Sequence, residues 1–282
     1  MGRIGDKFAC LRDRGEVAFI PFLTVGDPDL ETSKQLAIEV ASAGADLLEL
    51  GVPFSDPMAD GPTLQRAAER ALRSGSALPQ VLGVAADIRR EVDLPIFLLG
   101  YYNPFFRYGL RKAAEEARAA GVDGVLCVDL PPEEADEFQT ETEKTGIDLI
   151  FMLAPTSSPA RVRTVLKRSR GLVYCVSVTG ITGARSSLPQ GLKSMVEGVK
   201  AATTLPVVVG FGISTPEQAA WVAGFADGVI VGSAIAQIIE RHLGQPDPSC
   251  AGAQPCAPTS LVPQVAEFVS SLKRAVEKGT RR

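Results

Sequence analysis

Eight short stretches of the chain are apolar at nearly every position: residues 17–23, 46–50, 95–99, 124–128, 147–153, 172–178, 206–210 and 229–232. Runs this short and this rich in Val, Ile and Leu predict strands covered on both faces, as parallel strands are. Between them the apolar spacing becomes one-sided and helical, as over 31–43, 110–120, 132–145 and 218–223. Asp27-Pro28, Ser158-Pro159 and Thr215-Pro216 each set a capping side chain before a proline suited to a first helical turn. Eight strands and seven crossovers predict an α/β fold, a closed (β/α)8 TIM barrel, rather than an open doubly wound sheet. No GxGxxG follows the first strand to favour the open sheet. The expected organisation is a single domain over 1–282, with a helix ahead of the first strand and extra helices.

Two connections are long. From Asp46 to Pro95 the strand starts lie 49 residues apart, and the gap opens with a Gly- and Pro-dense stretch over 51–62 before an apparent helix pair. From Leu172 to Pro206 they lie 34 apart, with a Gly-, Ser- and Thr-rich opening over 179–187. Both follow strands, so both belong to the barrel face on which active sites form. Residues 245–263 hold five prolines and two cysteines without a helical period. They read as a surface insertion before a last helix over 264–278.

Composition removes several functions. A formal charge of −4 gives no basic footprint for nucleic acid, and no Lys/Arg cluster lies on an amphipathic run to bind a membrane surface. No apolar run approaches the ~20 residues of a membrane span, and the charged N-terminus lacks a secretory apolar segment. The five cysteines include no CxxC pair and fit reduced thiols in a cytoplasmic protein. The one histidine, His242, cannot build a metal site alone.

The strands also lack lysine, which leaves a Schiff-base mechanism without an obvious nucleophile. Carboxylates remain. Glu49 stands in Leu47-Leu48-Glu49-Leu50, one residue before the predicted strand ends at Gly51, and alternation sets its side chain opposite Leu48 and Leu50. If the leucines face the helices, Glu49 enters the barrel near its rim, where apolar neighbours raise its pKa and suit it to proton donation. The competing role is a structural ion pair. Asp60 is open between chemistry and capping the helix near Pro62. Asp56 reads as a turn residue, and Asp129 as a supporting or loop hydrogen-bonding group. Gly210-Phe211-Gly212 after strand 7, and Gly232-Ser233 opening a helix after strand 8, match the recurrent barrel phosphate site. Glycines serving only tight turns are the alternative.

The stretch Leu48-Glu49-Leu50-Gly51-Val52-Pro53-Phe54-Ser55-Asp56-Pro57-Met58-Ala59-Asp60-Gly61-Pro62 resembles the signature of tryptophan synthase alpha subunits. Satellite motifs extend the resemblance over residues 4–242: Pro21-Phe22-Leu23-Thr24, Tyr101-Tyr102-Asn103-Pro104, Thr179-Gly180-Ile181-Thr182-Gly183, Gly210-Phe211-Gly212-Ile213-Ser214 and Gly232-Ser233-Ala234-Ile235. The resemblance implies a cofactor-free lyase that cleaves indole-3-glycerol phosphate to indole and glyceraldehyde 3-phosphate. It implies Glu49 as general acid/base at indole C3, Asp60 as acceptor for the indole N–H, and Tyr174 beside Glu49. Phe22 and Tyr101 would line the indole pocket. Gly183, Phe211, Gly212, Gly232 and Ser233 would hold the phosphate, and Thr182 would meet Asp60 as its loop closes. It also implies a β subunit carrying pyridoxal phosphate, in an α2β2 heterotetramer. The aromatic cluster over 101–108 suits either that interface or packing beneath the loop. Two alternatives stay open: a stand-alone indole-releasing lyase without a β partner, and an inactive barrel acting as an allosteric scaffold.

Overall fold

The computed structural model describes residues 2–177, 191–244 and 260–280. Its strands are β1 (Ala18–Thr24), β2 (Leu48–Gly51), β3 (Ile96–Gly100), β4 (Gly124–Cys127), β5 (Asp148–Leu153), β6 (Val173–Val176), β7 (Val207–Gly210) and β8 (Gly228–Val231). They pair in chain order, all parallel, and β8 returns to β1, which closes the barrel. The helices are α1 (Arg3–Asp13), α2 (Leu30–Ser42), α3 (Pro62–Arg73), α4 (Leu78–Glu91), α5 (Tyr102–Tyr108), α6 (Leu110–Ala119), α7 (Asp136–Thr145), α8 (Pro159–Arg168), α9 (Leu192–Ala201), α10 (Pro216–Ala223), α11 (Ser233–Leu243) and α12 (Leu261–Thr280). All eight predicted strands form, each within two residues of its expected ends.

Strand alternation divides the apolar side chains into two clusters. Leu48, Leu50, Leu98, Val125, Cys175, Val207 and Val229 point outward against the helices. Ile20, Phe22, Leu47, Phe97, Leu126, Ile150, Tyr174, Val208 and Ile230 point inward. Ile4, Phe8 and Leu11 of α1 join the inner cluster, so the N-terminal helix plugs the end of the barrel where strands begin. The opposite end, where strands finish, is left for chemistry.

Three helix predictions need correction. Asp27 does not cap α2: Asp29 does, its carboxylate accepting from the Thr32 N–H at 2.8 Å. Asp27 is instead buried against Arg70. The run over 132–145 breaks into a single 3-10 turn (Pro132–Glu134) and α7. The last helix begins at Leu261 rather than 264, because Pro263 falls in its first turn, where a missing N–H costs nothing. Ser158 and Thr215 cap α8 and α10 as expected. The supposed insertion at 245–263, with Cys250 and Cys256, falls outside the described residues up to 259.

A repeated device secures the plugged end. Asp46, Asp123 and Asp227, each just ahead of a strand, accept the backbone N–H of Phe19, Ile96 and Val207 on the preceding strand, at 2.8–2.9 Å. Each also meets a cation: Lys273 at 2.8 Å, Arg89 at 2.6 Å and Lys200 at 2.7 Å respectively. Lys7 and Arg3 of α1 add to the first two pairs. Asp148 opens β5 at the same end of the barrel, yet its Oδ2 is buried with no hydrogen-bond partner. Burial, then the nearby Asp123 charge, pushes its pKa up to about 6. A carboxyl raised on folding holds its proton more tightly when folded, so stability falls as pH rises from about 4 to 6. Asp148→Asn should therefore be more stable than the parent above pH 6, by on the order of 1 kcal/mol, with the gain vanishing below about pH 4. Urea unfolding across pH checks this, and equal stability at pH 7.5 would refute it.

Candidate active site

Glu49 is the second residue of the four-residue strand β2, in register with Phe22 of β1 and Phe97 of β3. With Leu48 and Leu50 turned outward, its side chain enters the barrel and is 1% exposed. Neither carboxylate oxygen has a hydrogen-bond partner. No inward Lys or Arg meets it among the described residues, so the ion-pair alternative falls. Burial, then the charge of Asp60, drives its pKa well above the usual carboxylate range. The shift favours the protonated carboxylic acid over the carboxylate.

Asp60 does not cap α3. Gly61 takes the N-cap position without a side-chain cap bond, and the Asp60 carboxylate accepts from the Tyr101 hydroxyl at 3.1 Å. That hydroxyl in turn accepts the Ala59 N–H at 2.9 Å, which fixes the carboxylate from two sides. Burial raises Asp60 to about 6, and the Tyr101 hydrogen bond opposes the rise. Asp60, at about 6, therefore gives up its proton near neutrality, while the deeper burial of Glu49 favours its protonated form.

Phe22, Glu49, Asp60, Tyr174, Phe211, Gly212, Gly232 and Ser233 converge on one cleft enclosing about 380 Å³ of empty space. Tyr101 lines an adjoining hollow that shares Phe22, Asp60, Leu64 and Leu99. Thr182 and Gly183 fall outside the described residues. Leu64, Leu99, Ile213 and Ile230 complete the lining and were not anticipated. Alternation would have found Leu99 and Ile230, the inward residues near the ends of β3 and β8. A larger hollow at the plugged end, about 1260 Å³, is lined by Arg12, Lys200 and Asp227, and Asp227 there is already paired. Volume alone does not locate chemistry.

Close approach explains two glycine positions. A Cβ on Gly51 would lie 2.6 Å from the Phe22 ring, and one on Gly232 2.7 Å from it, so the ring wedges between the ends of β2 and β8. A Cβ on Gly210 would lie 2.1 Å from the Tyr174 hydroxyl, which occupies the space beside β7. Tyr174 is buried, and burial raises its pKa far above the normal range. It serves as a neutral hydroxyl.

Beyond Gly210 the backbone turns through Phe211 at φ 69° and Gly212 at φ 77°. A left-handed phenylalanine is strained, and the Ser177 hydroxyl holds it by donating to the Phe211 carbonyl. The Phe211 ring meets Tyr174 edge-on at 5.7 Å. Opposite, Gly232 and Ser233 open α11 at its positive dipole end, where the Gly232 carbonyl already accepts the Ile235 and Ala236 N–H groups at 2.9 and 3.0 Å. Strained backbone and helix start together line one edge of the cleft.

Other candidates take supporting roles. Asp129 accepts the Tyr102 N–H at 2.7 Å and so anchors α5. Asp56 is exposed and accepts from Ser55 at 2.5 Å. His242 is hydrogen-bonded to Ser260 at 2.8 Å. Burial pushes Cys127 well above the usual thiol range and Cys175 up to about 12. The aromatic cluster divides: Tyr101 and Phe105 are buried, while Phe106 is 55% exposed. Among the described residues, no helix is long and apolar enough to cross a membrane.

A family model described as Tryptophan synthase alpha chain matches residues 8–257. The tryptophan synthase alpha chain of Citrifermentans bemidjiense is 50% identical over 281 residues, covering 100% of both chains. That of Gloeobacter violaceus is 46% identical over 97% of this chain and 95% of its own. Among solved structures, tryptophan synthase subunit alpha from Legionella pneumophila superposes with a TM-score of 0.86 at 37% identity, covering 98% of each chain.

Proposed function

The chain belongs to the tryptophan synthase alpha chain family, and on that footing we propose that Glu49 and Asp60 carry its reaction as an unequal acid/base pair. Its activity is that of a carbon–carbon lyase in tryptophan biosynthesis, cleaving indole-3-glycerol phosphate to indole and glyceraldehyde 3-phosphate. The observation that carries the proposal is the buried, unpartnered Glu49 carboxyl facing the same cleft as an ionised Asp60.

Cleavage requires protonation at indole C3, which places positive charge on the ring and its nitrogen. Glu49, held protonated by burial, supplies that proton. Asp60 accepts the indole N–H and stabilises the charge developing there. The Glu49 carboxylate then takes the proton from the hydroxyl on the carbon attached to C3. That O–H pair becomes the aldehyde C=O, the C–C pair returns to the ring, and neutral indole leaves with Glu49 reprotonated. Phe22, Leu99 and Tyr101 enclose the indole, and Tyr174 packs beside Glu49. The Phe211-Gly212 and Gly232-Ser233 N–H groups hold the phosphate, with Gly183 adding to them and Thr182 meeting Asp60 on loop closure. Each of these steps uses only side chains and backbone of this chain, without a cofactor of its own.

The family's partner is the β subunit. Phe106, 55% exposed, and Met58, 81% exposed, stand at the face carrying the active site and would be covered in an α2β2 assembly whose β subunits carry pyridoxal phosphate. A scaffold without chemistry would have no use for an unpartnered acid in its core, whose burial costs stability. The same economy extends to the single domain over 1–282 and to the cytoplasm as its location, where a soluble biosynthetic enzyme meets its substrate.

Glu49→Gln should bind indole-3-glycerol phosphate within about threefold of the parent yet release indole at least about 10³-fold more slowly. Calorimetric titration and an indole-release assay test this together, and normal turnover would remove Glu49 from the mechanism. The ionised Asp60 predicts a loss of activity as pH falls through about 6. Tyr101→Phe deletes the hydrogen bond that holds this pKa down, so the acid limb of the kcat profile should move to higher pH. An unmoved or lowered limb would contradict the assignment.

A further inference from the structure

Arg70 lies two turns into α3, whose lead-in carries Asp60, and its guanidinium grips Asp27 with two bonds at 2.7 and 2.9 Å. Asp27 follows β1 in the loop beyond Phe22 and is 1% exposed. The same guanidinium reaches Glu240 of α11 at 3.4 Å. Arg66, one turn earlier on α3, grips both oxygens of Glu240, with the Nη2 bond at 2.9 Å. Four charged side chains thus bridge the loop after β1, α3 and α11. None of them lines the cleft. Ser74 and Ser76, at and beyond the end of α3, donate to the carbonyls of Gly26 and Val25 and hold the same loop from its other side.

What the bridge connects gives it meaning. Asp60 stands directly ahead of α3, at the indole end of the site. Gly232 and Ser233 stand at the start of α11, at the phosphate end. A substrate anchored at both ends needs those ends at a fixed separation, and misplacement by about 1 Å can cost about 10²-fold in rate. A single isolated ion pair at a surface would do little. A bidentate grip on a nearly inaccessible aspartate, continued into a second carboxylate, is geometrically restrictive.

We propose that Arg70, with Asp27, Glu240 and Arg66, is a positioning strut that sets the span between the indole-binding and phosphate-binding ends of the site. Neither arginine touches substrate. The proposal rests on the reading of the site above as one that cleaves indole-3-glycerol phosphate. The strut acts on ligands that occupy both ends at once and leaves a ligand of one end almost indifferent.

The experiment compares Arg70→Met, Arg70→Lys and the milder Glu240→Gln with the parent. Melting temperature, kcat and KM for indole-3-glycerol phosphate are measured, with the inhibition constant of inorganic phosphate as a one-end probe. Arg70→Met should raise KM about tenfold while the phosphate inhibition constant stays within about twofold. Arg70→Lys keeps the charge without the fork and should recover only part of the loss. Glu240→Gln keeps Arg70 on Asp27 and should give a smaller rise in KM. A lowered melting temperature with KM unchanged in all three would make the network purely structural and overturn the proposal. A phosphate inhibition constant rising in step with KM would also overturn it, by assigning the network to one end. If Arg70→Met does not fold, Glu240→Gln decides: a KM unchanged in that variant refutes the strut. Absence of indole release from the parent would instead defeat the reading of the site. Titrating substrate into Glu49→Gln with and without Glu240→Gln would still measure the span as binding alone.

Discussion

Closing eight parallel strands into a barrel forces every inward side chain to share one interior, and most of this molecule follows from how that interior is filled. Period-two alternation sends Leu48 and Leu50 out to the helices and Glu49 in. At the end where strands begin, α1 inserts Ile4, Phe8 and Leu11, and the interior becomes an ordinary apolar core. At the other end no helix enters among the described residues. There the space above Leu126, Ile150 and Val208 is bounded by an acid, a tyrosine and two aromatic rings. The same geometric rule thus yields a core at one end and a reactive cleft at the other.

The two ends treat carboxylates in opposite ways. At the plugged end Asp46, Asp123 and Asp227 each bind a strand N–H and a cation, which compensates for their burial. In the cleft Glu49 receives no such compensation, and it keeps its proton instead. Asp60 sits between these extremes, desolvated but steadied by one tyrosine hydroxyl. Satisfied acids stabilise the scaffold. The unsatisfied one stores reactivity, a local violation of packing rules of the kind concentrated at functional sites. Asp148 violates the same rule at the plugged end without lying in the cleft, and its effect there is on stability.

Strain and packing divide the work of holding ligand. Phe211 is held left-handed by Ser177, and Gly210 is kept bare by the Tyr174 hydroxyl, so the turn after β7 and the surroundings of Glu49 lean on one another through a single tyrosine. The Arg66 and Arg70 bridge links the same two regions from outside the cleft. Position is thereby fixed through rigid elements rather than through loops.

The strands were legible in the sequence because burial on both faces leaves an unbroken apolar run that nothing else in the chain imitates. Glu49 was legible for the same reason, as a charge flanked by leucines inside such a run, and alternation alone set its direction. The glycines after strands 7 and 8 were legible as points of close approach, and at Gly210 and Gly232 the neighbours that come close are Tyr174 and Phe22. Asp60 was not legible from its own surroundings: beside Gly61-Pro62 it looks like a helix cap, and only the resemblance named its role. Tertiary structure decided that question, because the Tyr101 hydroxyl that claims its carboxylate lies 41 residues away along the chain. Asp27 was misjudged for a like reason, its partner Arg70 being 43 residues distant. Local sequence carries period and turn chemistry. Which buried acid finds a partner, and which is left with its proton, is settled only when the barrel closes.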